Sequence, residues 1–269
     1  MMWADAAYRA IDEARRFSTE ENPTAAAAPM LAELLDQGYV ASMILSIGKL
    51  TDAEASNPVK GAISLRSILK DMRRNRDLLT RELFVCHDGL PFDPAVAEAD
   101  YDRRHPIMPG TQTWMPREGP DAFRISERAH ADFDSLTGVS AENRQRDDVI
   151  GEKVLTDIEA LLDAPDVKLC CGLRYKYVTH AADAHSRSAA NLAGFEITLG
   201  QIEAAQRSLI MANQRIRRDI LWSGVGHPVP TPQFDQFAHL DRAFIPSESL
   251  STLHCWWRKH TSDRDAWVA

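Results

Sequence analysis

The sequence is short of cysteine, of excess positive charge and of long apolar runs, and each shortage removes a class of protein. Its four cysteines, Cys86, Cys170, Cys171 and Cys255, are too few and too irregularly spaced for a disulfide framework, and no CxxC pair suggests a zinc knuckle. Reduced thiols in a cytoplasm are the expectation. Lysine and arginine number 31 against 39 acidic residues, a net charge of −8, which excludes gripping nucleic acid by bulk charge and leaves room only for a local basic patch. No stretch approaches the ~18 apolar residues of a membrane span. The first residues carry Asp5, Asp12 and Glu13 where a signal peptide would be apolar, so a cytoplasmic protein without membrane contact is expected. Strand-like alternation and internal repeats are also missing.

What is present is helical periodicity over a chain that is 44% apolar, enough for a substantial core. Residues 2–17 form a weakly hydrophobic outer helix. A second helix starts at Pro29 and runs to about Leu50; Tyr39 to Leu50 is apolar almost all round, which marks burial on several sides, with Ser42 and Ser46 small enough for close packing. Leu65, Ile68, Leu69, Met72, Leu79 and Leu83 predict a third helix, and residues 121–136 a shorter one. Between them, residues 85–120 are broken by prolines and glycines and read as a long irregular insert, a functional lid or a mobile excursion, with one or two helical turns at 95–103. Ile150 to Leu162 predicts a further helix, a break falls around Pro165, and helix resumes from Val167 toward His185. The last long helix covers about 198–222. The expected organisation is all-α: an N-terminal helix and linker (1–28), a helical domain (29–222) and a C-terminal extension (223–269) packed on it through Trp256, Trp257 and Trp267.

Two groups of residues suggest chemistry. On the third helix Lys60, Arg66, Lys70, Arg73, Arg74, Arg76 and Arg81 outnumber the acids, which reads as a solvated face or as a track for phosphates. The second group is Arg174-Tyr175-Lys176-Tyr177-Val178-Thr179-His180. Arginine offers phosphate a planar fork of donors, and histidine can take and give a proton near neutral pH. Six residues of straight helix separate Arg174 from His180 by roughly 120° and about 9 Å. Bringing both to one phosphate therefore needs a curled arginine, a distorted helix, or a second chain across a twofold axis. His180, Asp183 and His185 share no helix face well enough for a metal site, and Trp256 and Trp257 beside Arg258 and Lys259 have the composition of a base-stacking surface.

The run Leu173 to His180, between amphipathic helices, resembles the arginine-to-histidine motif of the HEPN superfamily, nearest to its AbiU-like abortive-infection branch. Leu50-Thr51-Asp52 resembles the Leu-x-Asp turn of that branch, and Ser64-Leu65 opens the next helix as it does there. The resemblance covers residues 30–83 and 146–222. It implies a HEPN-like helical bundle and a metal-independent endoribonuclease with no cofactor, a toxin or abortive-infection defence protein that binds RNA and dimerises so that two motifs face each other. It also implies a possible antitoxin partner such as a nucleotidyltransferase. Carried over, Arg174 and His180 are the catalytic residues, with Lys176, Arg73 and Arg74 binding substrate. Tyr175 stands where active members carry a small polar residue, so the alternative is a non-catalytic module of the same fold that binds nucleotide, RNA or protein.

Overall fold

A computed structural model describes residues 1–21, 29–52, 63–86, 88–105, 119–178, 188, 196–224, 226–235, 237–238 and 247–265. The fold is all-α. Among the described residues there is no strand, only an isolated antiparallel bridge between Thr80 and Val149.

The bundle is built on α2 (Pro29–Thr51), whose Tyr39, Met43, Ile44 and Ile47 are buried. It touches α1 (Met2–Glu21), α3 (Leu65–Arg74), α8 (Pro165–Leu173) and α9 (Leu199–Gln214), as an all-round apolar helix must. Helices α3 and α9 each begin with a capping box, Ser64 with Ser67 and Thr198 with Gln201, which satisfies the first orphan N–H groups and fixes where the helix starts. Helix α7 (Glu152–Leu162) packs on α3 and α9, and Pro165 at the start of α8 makes the expected break.

The single helix expected over Leu65–Leu83 is divided. α3 ends at Arg74, a 3-10 turn covers Arg76–Leu78, and α4 runs from Arg81 to Cys86. The reason is that the Arg81 and Glu82 amides donate to Asp148 O and Arg146 O at 2.8 and 3.0 Å instead of to carbonyls four residues back. Arg81 itself is fully buried between Asp134 (2.7 Å) and Asp148 (2.8 Å). It thereby ties α4 to α6 (Pro120–Thr137) and to the segment that returns to the bundle.

The insert is more regular than its sequence suggests. Residues 94–104 form a full helix, α5, started by Pro94 and by Asp93 accepting from the Val96 amide. None of its residues is buried, which is why no apolar period marks it. Tyr101 meets Phe123 edge-on at 5.9 Å and seats α5 on α6, while residues 106–118 lie outside the described residues. The C-terminal extension also differs from expectation. Phe234 packs edge-on against Trp3 at 6.2 Å, but residues 251–259 of α10 (Leu250–Asp265) are exposed one after another. Trp267 lies outside the described residues.

Candidate active site

Helix α8 does not continue as an α-helix past Leu173. Residues 174–178 form a π turn, with hydrogen bonds one residue longer than in an α-helix, a feature often found where a helix serves function. The helix is thus locally distorted at Arg174, one of the three arrangements considered for bringing it toward His180. His180, Asp183 and His185 lie outside the described residues.

The Arg174 side chain is only 14% exposed. Its Nη1 donates to Asp52 Oδ1 at 2.5 Å, and its guanidinium carbon lies 5.1 Å from the centre of the Tyr175 ring. The Tyr175 hydroxyl points to the same carboxylate oxygen at 3.4 Å. The hydrogen bond to Asp52 raises the arginine pKa despite partial burial, so the group stays cationic at any ordinary pH. The stem of the side chain crosses α2 at Gly48, where a Cβ would stand 2.3 Å from Arg174 Cδ and 2.7 Å from Nη1. Only glycine leaves that passage open. Close packing on α2 was expected at Ser42 and Ser46; Ser42 is exposed and Ser46 half-buried, while Arg174 crosses the helix at the buried Gly48.

Three distant parts of the chain meet here. Asp52 closes α2 and receives Arg174 on its carboxylate, and its carbonyl accepts the Ser64 hydroxyl at 2.6 Å, at the start of α3. One residue earlier, the buried Thr51 hydroxyl lies 3.1 Å from Cys171 Sγ on α8. Sequence reasoning marked Asp52 as part of a turn but not as the partner of Arg174. Gly48 was missed, although a glycine inside an otherwise apolar helix signals a close approach.

The substrate-binding candidates fall in different environments. Lys176 lies half-buried in the π turn with Arg174. Arg73 is already bridged to Glu152 (2.8 Å) and Glu159 (2.7 Å) of α7, while Arg74 is exposed and lies 3.6 Å from Asp71. Arg66 binds Asp163 at 2.5 Å and the Leu162 carbonyl, and Arg76 donates to Ile150 O. The basic side of α3 is thus mostly the half of a charged seam whose acidic half is α7, rather than an open phosphate track; Lys60 lies outside the described residues.

A cavity of about 460 Å³ opens between the start of α1, Leu50, Leu65 and Arg217, with His227 at its wall, and does not include Arg174. It also pairs an arginine with a histidine, but Arg217 Nη2 donates to Gly224 O at 2.7 Å and so anchors the following loop. Among the described residues no three histidine, cysteine or carboxylate side chains are grouped to hold a metal ion, and no helix is long and apolar enough to cross a membrane. Compared with protein-family models, curated proteins and solved structures, the chain matches none.

Proposed function

We propose that this chain is a metal-independent RNA endonuclease of the HEPN type, acting as a cytoplasmic homodimer in a toxin or abortive-infection role, with Arg174 and His180 at the phosphodiester. The observation that carries this reading is the seat of Arg174. The segments on which the resemblance rests, Leu50-Thr51-Asp52, Ser64-Leu65 and the run from Leu173, are joined through Asp52. An arginine held by a carboxylate and threaded past a glycine is pre-oriented, the condition for stabilising charge that develops in a transition state.

The chemistry follows from the substrate. An RNA 2′-hydroxyl attacks the adjacent phosphorus, giving a cyclic phosphate and a free 5′-hydroxyl. His180 takes the proton of the attacking hydroxyl or returns one to the leaving oxygen. Arg174 meets the charge growing on the non-bridging oxygens through that part of its fork not engaged by Asp52. Cleavage of a single-stranded RNA in the presence of EDTA is the test. Arg174→Ala and His180→Ala are each expected to lower the rate about 100-fold or more. Undiminished cleavage by His180→Ala would sink the catalytic assignment.

The second reading, a non-catalytic module of the same fold, draws on the fact that Asp52 already neutralises Arg174 and that the Tyr175 ring lies against it. It predicts RNA binding without product, retained in His180→Ala.

A further inference from the structure

The ribonuclease reading does not use the cavity at the start of α1. Its volume, about 460 Å³, falls within the ~300–1,000 Å³ of small-molecule sites. One wall is apolar, with Trp3 of α1, Leu50 near the end of α2, Leu65 at the start of α3 and Ile210 of α9. The other is polar: Asn213 and Gln214 end α9, Arg217 lies in the π turn Arg215–Ile220 that follows, and His227 stands at the rim.

The polar wall holds groups without the partners they would ordinarily have. Asn213 and Gln214 are half-buried, yet among the described residues neither carboxamide makes a hydrogen bond. An unmade bond at a partly buried polar group costs stability, and a ligand in the cavity would supply it. Arg217 donates from Nη2 to Gly224 O at 2.7 Å and from Nε to Ser223 Oγ at 3.4 Å, both uncharged, which leaves Nη1 open. No carboxylate balances it among the described residues, whereas Arg66, Arg73, Arg81 and Arg174 each hold one, in a chain with 39 acidic residues to 31 basic.

These features select a ligand. No acidic side chain lines the cavity, so an anion meets only positive charge there, while an amino acid or a polyamine would bring an ammonium group without a counter-charge. A fatty acid would satisfy Arg217 but lay its chain against two carboxamides that need hydrogen bonds. A carboxamide sets a donor and an acceptor side by side, the pattern found on the edges of nucleobases. We propose that this cavity binds a mononucleotide, with the base against the apolar wall and its edge on Asn213 and Gln214, and the phosphate on Arg217 with His227 as a second donor. Neither the cavity nor its lining depends on whether Arg174 cuts RNA.

Isothermal titration calorimetry of the full chain with adenosine and uridine 5′-monophosphates, adenosine, inorganic phosphate and octanoate is the test. At least one nucleotide should bind, and more tightly than any of the other three. Asn213→Ala breaks no bond within the protein, so the thermal midpoint should stay or rise while nucleotide binding weakens about tenfold. Arg217→Ala should bring adenosine 5′-monophosphate down to the affinity of adenosine. Arg217→Lys keeps a charge while losing the fork that anchors the loop, and should recover part of that affinity; no recovery would overturn the phosphate contact. Absence of nucleotide binding, or tightest binding of octanoate or of phosphate alone, would overturn the proposal. Binding should persist in Arg174→Ala, and its loss there would move the nucleotide to the other arginine and overturn the assignment. The two readings fail separately: nucleotide binding by a chain that cuts no RNA would leave this site and remove the nuclease, and RNA cleavage without nucleotide binding would do the reverse.

Discussion

Inside a helix glycine is about 1 kcal/mol worse than alanine, so Gly48 in the interior of α2 is a position where stability is given up. What it secures is the path of Arg174, whose Cδ would lie 2.3 Å from a Cβ placed there. The clashing atoms belong to a flexible side chain, which can move aside. Gly48→Ala is therefore expected to leave the thermal midpoint unchanged or slightly raised while RNA cleavage falls about tenfold or more, because a displaced charge no longer meets the phosphate. Calorimetry and a cleavage assay on one preparation separate the two effects. A parallel loss of both would mean that Gly48 serves packing and not the arginine.

Among elements, the arm formed by residues 88–105 hangs on α6 by few bonds. Ser126 donates to Pro91 O at 2.6 Å, and His130 Nε2 donates to Phe92 O at 2.7 Å. His130 is 4% exposed, and its Nδ1 has no partner among the described residues. Burial pushes its pKa below the usual value, against the pull of the Phe92 carbonyl; Arg144 and Arg81 push the same way as burial and Asp134 opposes them. The folded state thus holds the imidazole neutral. Its contribution is complete above the unfolded pKa of about 6.5 and is lost as pH falls from there toward the lower folded value. The unfolding free energy from urea titrations should therefore drop between about pH 7.5 and 5.5 by at most about 1.4 kcal/mol more in the native chain than in His130→Gln. Equal drops would show that this imidazole does not couple the arm to pH. The elements also show what a sequence can reveal. Helices with a buried stripe, α3, α7 and α9, are readable because burial imposes a period, and the later half of α2 because it is apolar almost all round. α5 is not, since none of its residues is fully buried, and the division of α3 from α4 depends on Asp148 and Arg146, which lie more than sixty residues away. At the candidate site Arg174 was readable from its neighbours, whereas its partner Asp52, 122 residues distant, needed the fold.

For the whole molecule, the proposed dimer makes a statement about which chain supplies which group. If Arg174 of one subunit serves His180 of the other, mixing the Arg174→Ala and His180→Ala proteins and allowing exchange should restore activity. Half the dimers would be mixed and one site in each intact, up to about a quarter of the native rate. A mixture as inactive as its components, with exchange verified, would place both groups of a site on one chain.

The Thr80–Val149 bridge has a consequence in time rather than in space. The Arg81 amide finds its acceptor 67 residues further along, so forming that bond first in an unfolded chain would cost about 4 kcal/mol of loop entropy. Hydrogen bonds within single helices such as α7 and α8 carry no such penalty. The order of assembly then follows: local helices first, the arm folded on itself next, and its two ends brought together last. Pulse-labelled hydrogen exchange during refolding should find the Arg81 and Glu82 amides still open when those of α7 and α8 have closed.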